Sequence, residues 1–130
     1  MDLTEWTRGY FRAYESGDRA FIENNLTPDF TFTSPFDDAI GREAYFARCW
    51  AGHTNIAKFH FVAVAQDGDG VLVLYNAELK SPNPVHVGKT FRNAEYFRFQ
   101  NGRLKSVEVY FGDPPGGLTR REFAVQSGAV

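Results

Sequence analysis

The chain has 130 residues and a mass of 14.7 kDa, the size of one domain. Its 14 Lys and Arg against 16 Asp and Glu leave a net charge of −2 and a pI near 5.9, which argues against a phosphate-neutralising, nucleic-acid-binding surface. Hydrophobic residues at 43% and charged residues at 23% exclude bulk disorder, and the single Cys49 excludes an intrachain disulfide and a Cys-based zinc site.

The first third carries a helical period. Trp6, Tyr10, Ala13 and Tyr14 recur at three- and four-residue spacing, with Glu5, Arg8, Arg12 and Glu15 opposite them. Ser16-Gly17-Asp18 stops this helix, and Asp18 caps a second one that buries Phe21, Ile22 and Leu26 before Thr27-Pro28-Asp29 ends it. Phe30–Ser34 alternates as a short strand, with Ser34 on the face of Phe30 and Phe32. A loop over Pro35–Ile40 leads to Gly41, which opens a third helix with Tyr45/Cys49 and Phe46/Trp50 as i,i+4 pairs.

From Lys58 the period becomes two. Phe59–Gln66 and Val71–Lys80 read as strands joined by Asp67-Gly68-Asp69-Gly70, a plain turn that lacks the downstream Glu of a calcium loop. Val87–Gln100 and Arg103–Gly112 read as strands joined by Asn101-Gly102, a strong type I′ hairpin signal. After Asp113-Pro114-Pro115-Gly116-Gly117, residues 113–130 form a tail in which Thr119 and Glu122 have capping-box spacing. Three helices before a long antiparallel meander predict an α+β domain over residues 1–112, with the sheet curled around the helices.

The longest apolar runs, Phe61–Ala65 and Val71–Tyr75, fall far short of the roughly 18 residues of a membrane span. Met1-Asp2-Leu3-Thr4-Glu5 lacks the basic and apolar stretches of a secretory signal, so no membrane partner and a cytoplasmic location are expected. Phe occurs 13 times against seven Leu and three Ile, which suits either a solid aromatic core or the wall of an apolar cavity. Nucleotide, lipase and zinc-protease signatures are absent, and His53, His60 and His86 lack metal-ligand spacing, so neither a metal nor a cofactor is expected. Cys49, on an apolar helix face, reads as a buried structural thiol.

Polar residues at inward parity remain. On the strand before Asn101, Phe91, Asn93, Glu95, Phe97 and Phe99 share one face, and Arg92, Ala94, Tyr96 and Arg98 share the other. A carboxylate among three Phe side chains is desolvated, its pKa rises, and in its neutral form it can donate a hydrogen bond to a developing oxyanion. On Val71–Lys80, Leu72, Leu74, Asn76 and Glu78 oppose Val71, Val73, Tyr75 and Ala77, and either face could be the buried one.

The succession Tyr10, Gly17-Asp18, Ser34-Pro35-Phe36, Gly41-Arg42-Glu43, Glu95-Tyr96-Phe97-Arg98-Phe99, Asn101-Gly102-Arg103 and Val109-Tyr110-Phe111 resembles SnoaL-like and ketosteroid-isomerase-like proteins of the nuclear-transport-factor-2-like superfamily. The resemblance implies a cone-shaped sheet wrapped around three helices, a deep pocket, and homodimerisation through the outer sheet face. It also implies that Tyr10, seven residues before Gly17, donates to a substrate oxygen beside an acid at the position of Glu95. Where a ketosteroid isomerase has its basic Asp, this chain has Ser34, which cannot take up a proton unaided. Asp37 and Asp38 lie just beyond, either as substitutes or as a solvated helix cap.

These readings give Tyr10, Glu95 and Asp38 as catalytic candidates, with His60 and Glu78 as other possible bases. The expected lining comprises Tyr14, Ser34, Trp50, His60, Asn76, Glu78, Asn93, Phe97 and Phe111, with Asn93 orienting Glu95 or the ligand. Two functions remain open: a small-molecule enzyme doing isomerase-, cyclase- or hydrolase-type acid–base chemistry, or a non-catalytic ligand-binding or dimerisation module. For Glu95 two environments compete: an ionised side chain paired with an Arg or a set of backbone donors that only holds the sheet, or a cavity-facing acid with a raised pKa in reach of Tyr10, directly or through one water. A homodimer through Arg92, Ala94, Tyr96, Arg98, Glu108 and Tyr110 is expected.

Overall fold

Asp2 opens the first helix by accepting the backbone N–H groups of Thr4 and Glu5, and Gly17 closes it at a φ of 78° that only glycine adopts readily. The computed structural model describes residues 2–80, 89–112, 119, 121, 122 and 125. The helices are α1 (Leu3–Ser16), α2 (Arg19–Glu23) and α3 (Arg42–Cys49), the last running into a 3-10 turn over Trp50–Asn55. The strands are β1 (Leu26–Ser34), β2 (Asp37–Ile40), β3 (Ile56–Asp67), β4 (Gly70–Leu79), β5 (Thr90–Gln100) and β6 (Arg103–Phe111). They form one curved sheet in the order β2-β1-β6-β5-β4-β3.

The α+β expectation holds, with corrections at one edge of the sheet. The meander β3–β6 is antiparallel throughout, but β1 joins β6 in parallel, so the sheet is mixed rather than antiparallel. The second helix ends at Glu23, and Leu26 begins a strand instead of closing a helix. The strand passes through Pro28, which lacks an N–H, where the register with β6 is irregular between Leu26 and Thr31. The expected loop over Pro35–Ile40 contains β2, which doubles back on β1 with Ser34 opposite Asp37 and Ala39 at a φ of 49°. The expected start of the fifth strand at Val87, together with His86 and the Pro114–Gly117 stretch, lies outside the described residues.

The meander signals are borne out. Asn101 and Gly102 take φ values of 51° and 77°, the pair of left-handed residues a type I′ turn requires. The Asp67–Gly70 segment is a turn, with Asp67 opposite Gly70. The Thr119 and Glu122 capping box forms, each residue's backbone N–H reaching the other's side chain.

Alternation along β4 settles which face is covered: Val71, Val73, Tyr75, Ala77 and Leu79 are buried. Phe11 of α1 sits in a nest of Phe59, Phe61, Tyr75 and Phe97, with ring centroids 4.9–5.6 Å away. On the other side, Tyr45 of α3 packs on Phe30 and Phe32 of β1. The helices therefore fill the concave face, and each aromatic ring there removes a large apolar area from water.

Candidate functional site

Three polar side chains, Tyr75, Asn93 and Glu95, sit deep on the concave face because strand parity leaves them no other direction. Asn93, Glu95 and Phe97 of β5 are buried in alternation, and Tyr75 of β4 lies directly opposite Asn93. Tyr75 Oη donates to Glu95 Oε2 at 2.5 Å, and Asn93 Nδ2 donates to Tyr75 Oη at 3.4 Å. Asn93 Oδ1 accepts the Gly112 N–H at 3.3 Å. The same N–H reaches the Arg92 carbonyl at 2.7 Å, and a Cβ at Gly112 would come within 2.0 Å of that oxygen. Glycine is thus required where the chain closes onto Asn93.

Burial raises the Glu95 pKa from 4.5 to about 7, against the opposing pull of the Tyr75 hydrogen bond. Near neutrality the side chain is poised between acid and carboxylate. With Oε2 held by Tyr75, a proton on Oε1 is the one available to be given away.

A second cluster faces it from the helices. Tyr10 and Tyr14 of α1 both hydrogen-bond the Tyr45 hydroxyl of α3. Burial pushes all three phenols up, and the charge of Glu95 adds to the rise at Tyr10 and Tyr14. Three hydroxyls carry three protons and two hydrogen bonds use two, so the cluster keeps one O–H for another acceptor. Glu95 takes Tyr75 as its hydrogen-bond partner and Tyr10 takes Tyr45, so the direct form of the expected Tyr10–Glu95 contact does not form. The alternative of an Arg or backbone donors holding Glu95 gives way, since the bond it makes is to a phenol.

The third cluster lies where β1 turns into β2. Ser34 Oγ donates to Asp37 Oδ2 at 2.9 Å and accepts the Phe36 N–H at 3.1 Å. Asp37 Oδ1 stands 2.5 Å from Arg48 Nε of α3, and the Asp37 side chain is only 5% exposed. Asp38, the expected base, is exposed. Successive residues of a strand point to opposite faces, so turning Asp37 inward turns Asp38 out.

His60, Asn76 and Glu78 are corrected in the same way. Burying the apolar face of β4 puts Asn76 and Glu78 on its convex side, where His60 pairs with Glu78 at 3.1 Å and Arg92 donates to Asn76 at 3.0 Å. Both members of the His60–Glu78 pair are more than a third exposed. Phe97 is fully buried, with its ring 4.9 Å from that of Tyr10. Trp50 packs on Tyr14 and stacks on His53, and Phe111 packs on Phe36.

Tyr45, Tyr75 and Arg48 are members that sequence reasoning left out of the site, and Asp37, offered beside Asp38 as a substitute base, is the one of that pair that turns inward. Tyr75 carried a signal, since choosing the apolar face of β4 places it beside Glu95. Cys49 lies among the clusters: burial drives its thiol up to about 12, and the charges of Asp37 and Glu95 both add to the rise. Among the described residues, no group of three His, Cys, Asp or Glu side chains could hold a metal ion. No helix there is long and apolar enough to cross a membrane.

The model of the SnoaL-like domain family matches residues 7–107. Nothing among curated proteins matches. Among solved structures, an NTF2-like protein of unknown function from Cytophaga hutchinsonii is 19% identical with a TM-score of 0.64, covering 86% of this chain and 92% of its own. An NTF2-like protein of unknown function from Burkholderia pseudomallei is 20% identical at a TM-score of 0.66, with coverage of 86% and 92%. A protein from Sinorhizobium meliloti, named as a candidate polyketide cyclase, is 20% identical at a TM-score of 0.63, with coverage of 85% and 97%. At these identities the likeness is one of fold.

Proposed function

This chain belongs to the SnoaL-like domain family, and from that premise we propose that it is a small-molecule enzyme doing acid–base chemistry on a compact, partly apolar substrate. The observation that carries the reading is Glu95: a buried acid poised near 7, fixed by Tyr75 and facing a phenol cluster with an O–H to spare. Donors of this kind, held by packing before the substrate arrives, stabilise an oxygen that becomes negative during reaction. Ser34, Phe36, Cys49, Trp50 and Phe111 are only half-buried, which supports placing the substrate against them. In this reading Tyr10 and Glu95 bind the reacting oxygen, Tyr45 and Tyr75 orient them, and Asn93 holds Tyr75.

A non-catalytic binding module is the second reading, favoured by one observation: Ser34, where a ketosteroid isomerase has its basic Asp, is a hydroxyl engaged at both its donor and acceptor functions. Titration with 4-nitrophenol, whose phenolate mimics an oxyanion, tests the donor set. Glu95→Ala weakens binding about tenfold, while Glu95→Gln, which still donates, changes it by less than about twofold. No binding by the wild type refutes the reading. Native mass spectrometry of the purified protein then identifies co-purifying compounds, whose turnover separates enzyme from binding module.

The proposal includes a homodimer through the convex face. Val62, Leu72 and Tyr110 are 50–59% exposed there, alongside Ala94, Tyr96, Arg92 and Arg98. Opposed Arg and Glu108 side chains can pair across a two-fold axis. Sedimentation velocity at micromolar concentration shows a dimer that Leu72→Arg dissociates; a monomeric wild type refutes this part.

A further inference from the structure

We propose that Asp37 is the proton acceptor of this site, with Ser34 and Arg48 as the positioning residues that fix its carboxylate. The inference rests on the enzyme reading above and adds to it the base that reading lacks.

The sheet register brings the two carboxyl groups to one row. Phe32 pairs with Val107 and Thr33 with Glu108, so continuing the register brings Ser34 level with Val109. Val109 pairs with Glu95, and Ser34 with Asp37. Across the concave face the row therefore reads Asp37, Ser34, Val109, Glu95. Strands lie about 4.8 Å apart, so Asp37 and Glu95, three strands apart, are separated by about 14 Å along the sheet, a span that the two side chains and a compact substrate fill together. Half-buried Cys49 of α3 lies within the field of both carboxyl groups. A substrate lying over Val109 and Cys49 meets Glu95 at one end and Asp37 at the other.

Asp37 is also held as a base needs to be. Its Oδ1 is fixed by Arg48 and its Oδ2 by Ser34, whose own oxygen is fixed by the Phe36 N–H. Each carboxylate oxygen accepts two hydrogen bonds, so the carboxylate retains capacity for a substrate proton. Nothing comparable holds Asp38, which faces solvent. The resulting division of labour, an acid at one end of the row and a carboxylate at the other, is the arrangement acid–base catalysis uses.

The probe is 5-nitrobenzisoxazole. A carboxylate takes its C3 proton, the C–H electron pair forms the nitrile as the N–O bond breaks, and the ring oxygen leaves as 2-cyano-4-nitrophenolate, followed by absorbance. The wild type accelerates this elimination over free acetate, and Asp37→Asn lowers kcat/KM about 100-fold or more while 4-nitrophenol binding stays within about twofold. Asp38→Asn, the neighbouring carboxylate, retains the wild-type rate. Ser34→Ala lowers kcat about tenfold at unchanged KM, and Ser34→Thr, which restores the hydroxyl, recovers it. An Asp37→Asn protein that keeps the rate overturns the proposal, as does a wild type that binds 4-nitrophenol without accelerating the elimination. Should Asp37→Asn fail to fold, the Ser34 pair decides: an unchanged Ser34→Ala rate overturns the proposal. Failure of the donor-set reading shows separately, as loss of 4-nitrophenol binding by the wild type.

Discussion

Replacing Glu95 with Gln changes how stability depends on pH, and the structure sets both the direction and the size of the change. The side chain is 7% exposed, and burial moves its pKa from 4.5 to about 7. The folded protein therefore holds this proton more tightly than the unfolded chain does. Below pH 4.5 both states are protonated and the burial carries no ionisation penalty. Between 4.5 and about 7 the unfolded chain has released the proton while the fold retains it, so stability falls as pH rises, by up to about 1.4 kcal/mol per pH unit. Above about 7 both states are ionised and the loss is complete. From 4.5 to about 7 this amounts to about 3 kcal/mol, a large part of the 5–15 kcal/mol typical of a domain.

The assay is urea unfolding of wild type and Glu95→Gln from pH 4 to 9. Gln keeps the size and a hydrogen-bonding partner for Tyr75 but does not titrate. Subtracting the two curves removes the other carboxylates, which titrate alike in both proteins. The expected difference is a sigmoid: wild type loses about 3 kcal/mol relative to the variant across the 4.5-to-7 window, at an unchanged m-value. Parallel curves refute the reasoning, because they mean that Glu95 is solvated in the fold and titrates as in the unfolded chain. A difference that grows with acid refutes it as well.

Tyr45→Phe removes the shared partner of Tyr10 and Tyr14 and destabilises the protein by about 1–3 kcal/mol in urea unfolding, whereas Tyr14→Phe, which leaves the Tyr10–Tyr45 bond intact, costs less. Gly102→Ala forces a Cβ into a φ of 77° and costs about 1–2 kcal/mol, measured the same way. With its thiol at about 12, Cys49 is about one part in ten thousand ionised near pH 8, so the folded protein reacts with Ellman's reagent about a thousandfold more slowly than the chain in urea. An equal rate in the two states contradicts the burial of the thiol among Asp37, Glu95 and Tyr14.

Local rules carried far in some places and stopped in others. Asn101-Gly102 names its turn because few residues accept two positive φ angles in a row, and the inward parity of Glu95 follows from a strand whose end carries Phe97 and Phe99. On β4 the face of Asn76 and Glu78 also carries Leu72 and Leu74, so alternation alone did not choose. The deciding contact is Phe11 of α1 packing on Tyr75, an interaction between segments far apart in sequence. The same holds for Tyr10, whose partner Tyr45 is 35 residues away and is selected by the packing of α1 beside α3. Pro28 reads as a terminator, yet it lies in β1 where the ladder is irregular and its missing N–H is not needed.

Ser34 shows how a residue read singly can mislead where its neighbours in space do not. By itself it reads as the loss of a base, since a hydroxyl cannot hold the proton a carboxylate would take. The turn to β2 brings Asp37 directly opposite, and Ser34 then serves as a donor to that carboxylate. The change is legible only once β2 is known to be a strand, because in a loop Asp37 and Asp38 are interchangeable, whereas in a strand one of them must point in. Arg48 adds the counter-charge that lets a carboxylate sit almost fully covered at this junction. An unpaired charge so placed would cost several kcal/mol, so the ion pair and the serine contact together explain how the fold keeps a carboxylate within reach of its concave face.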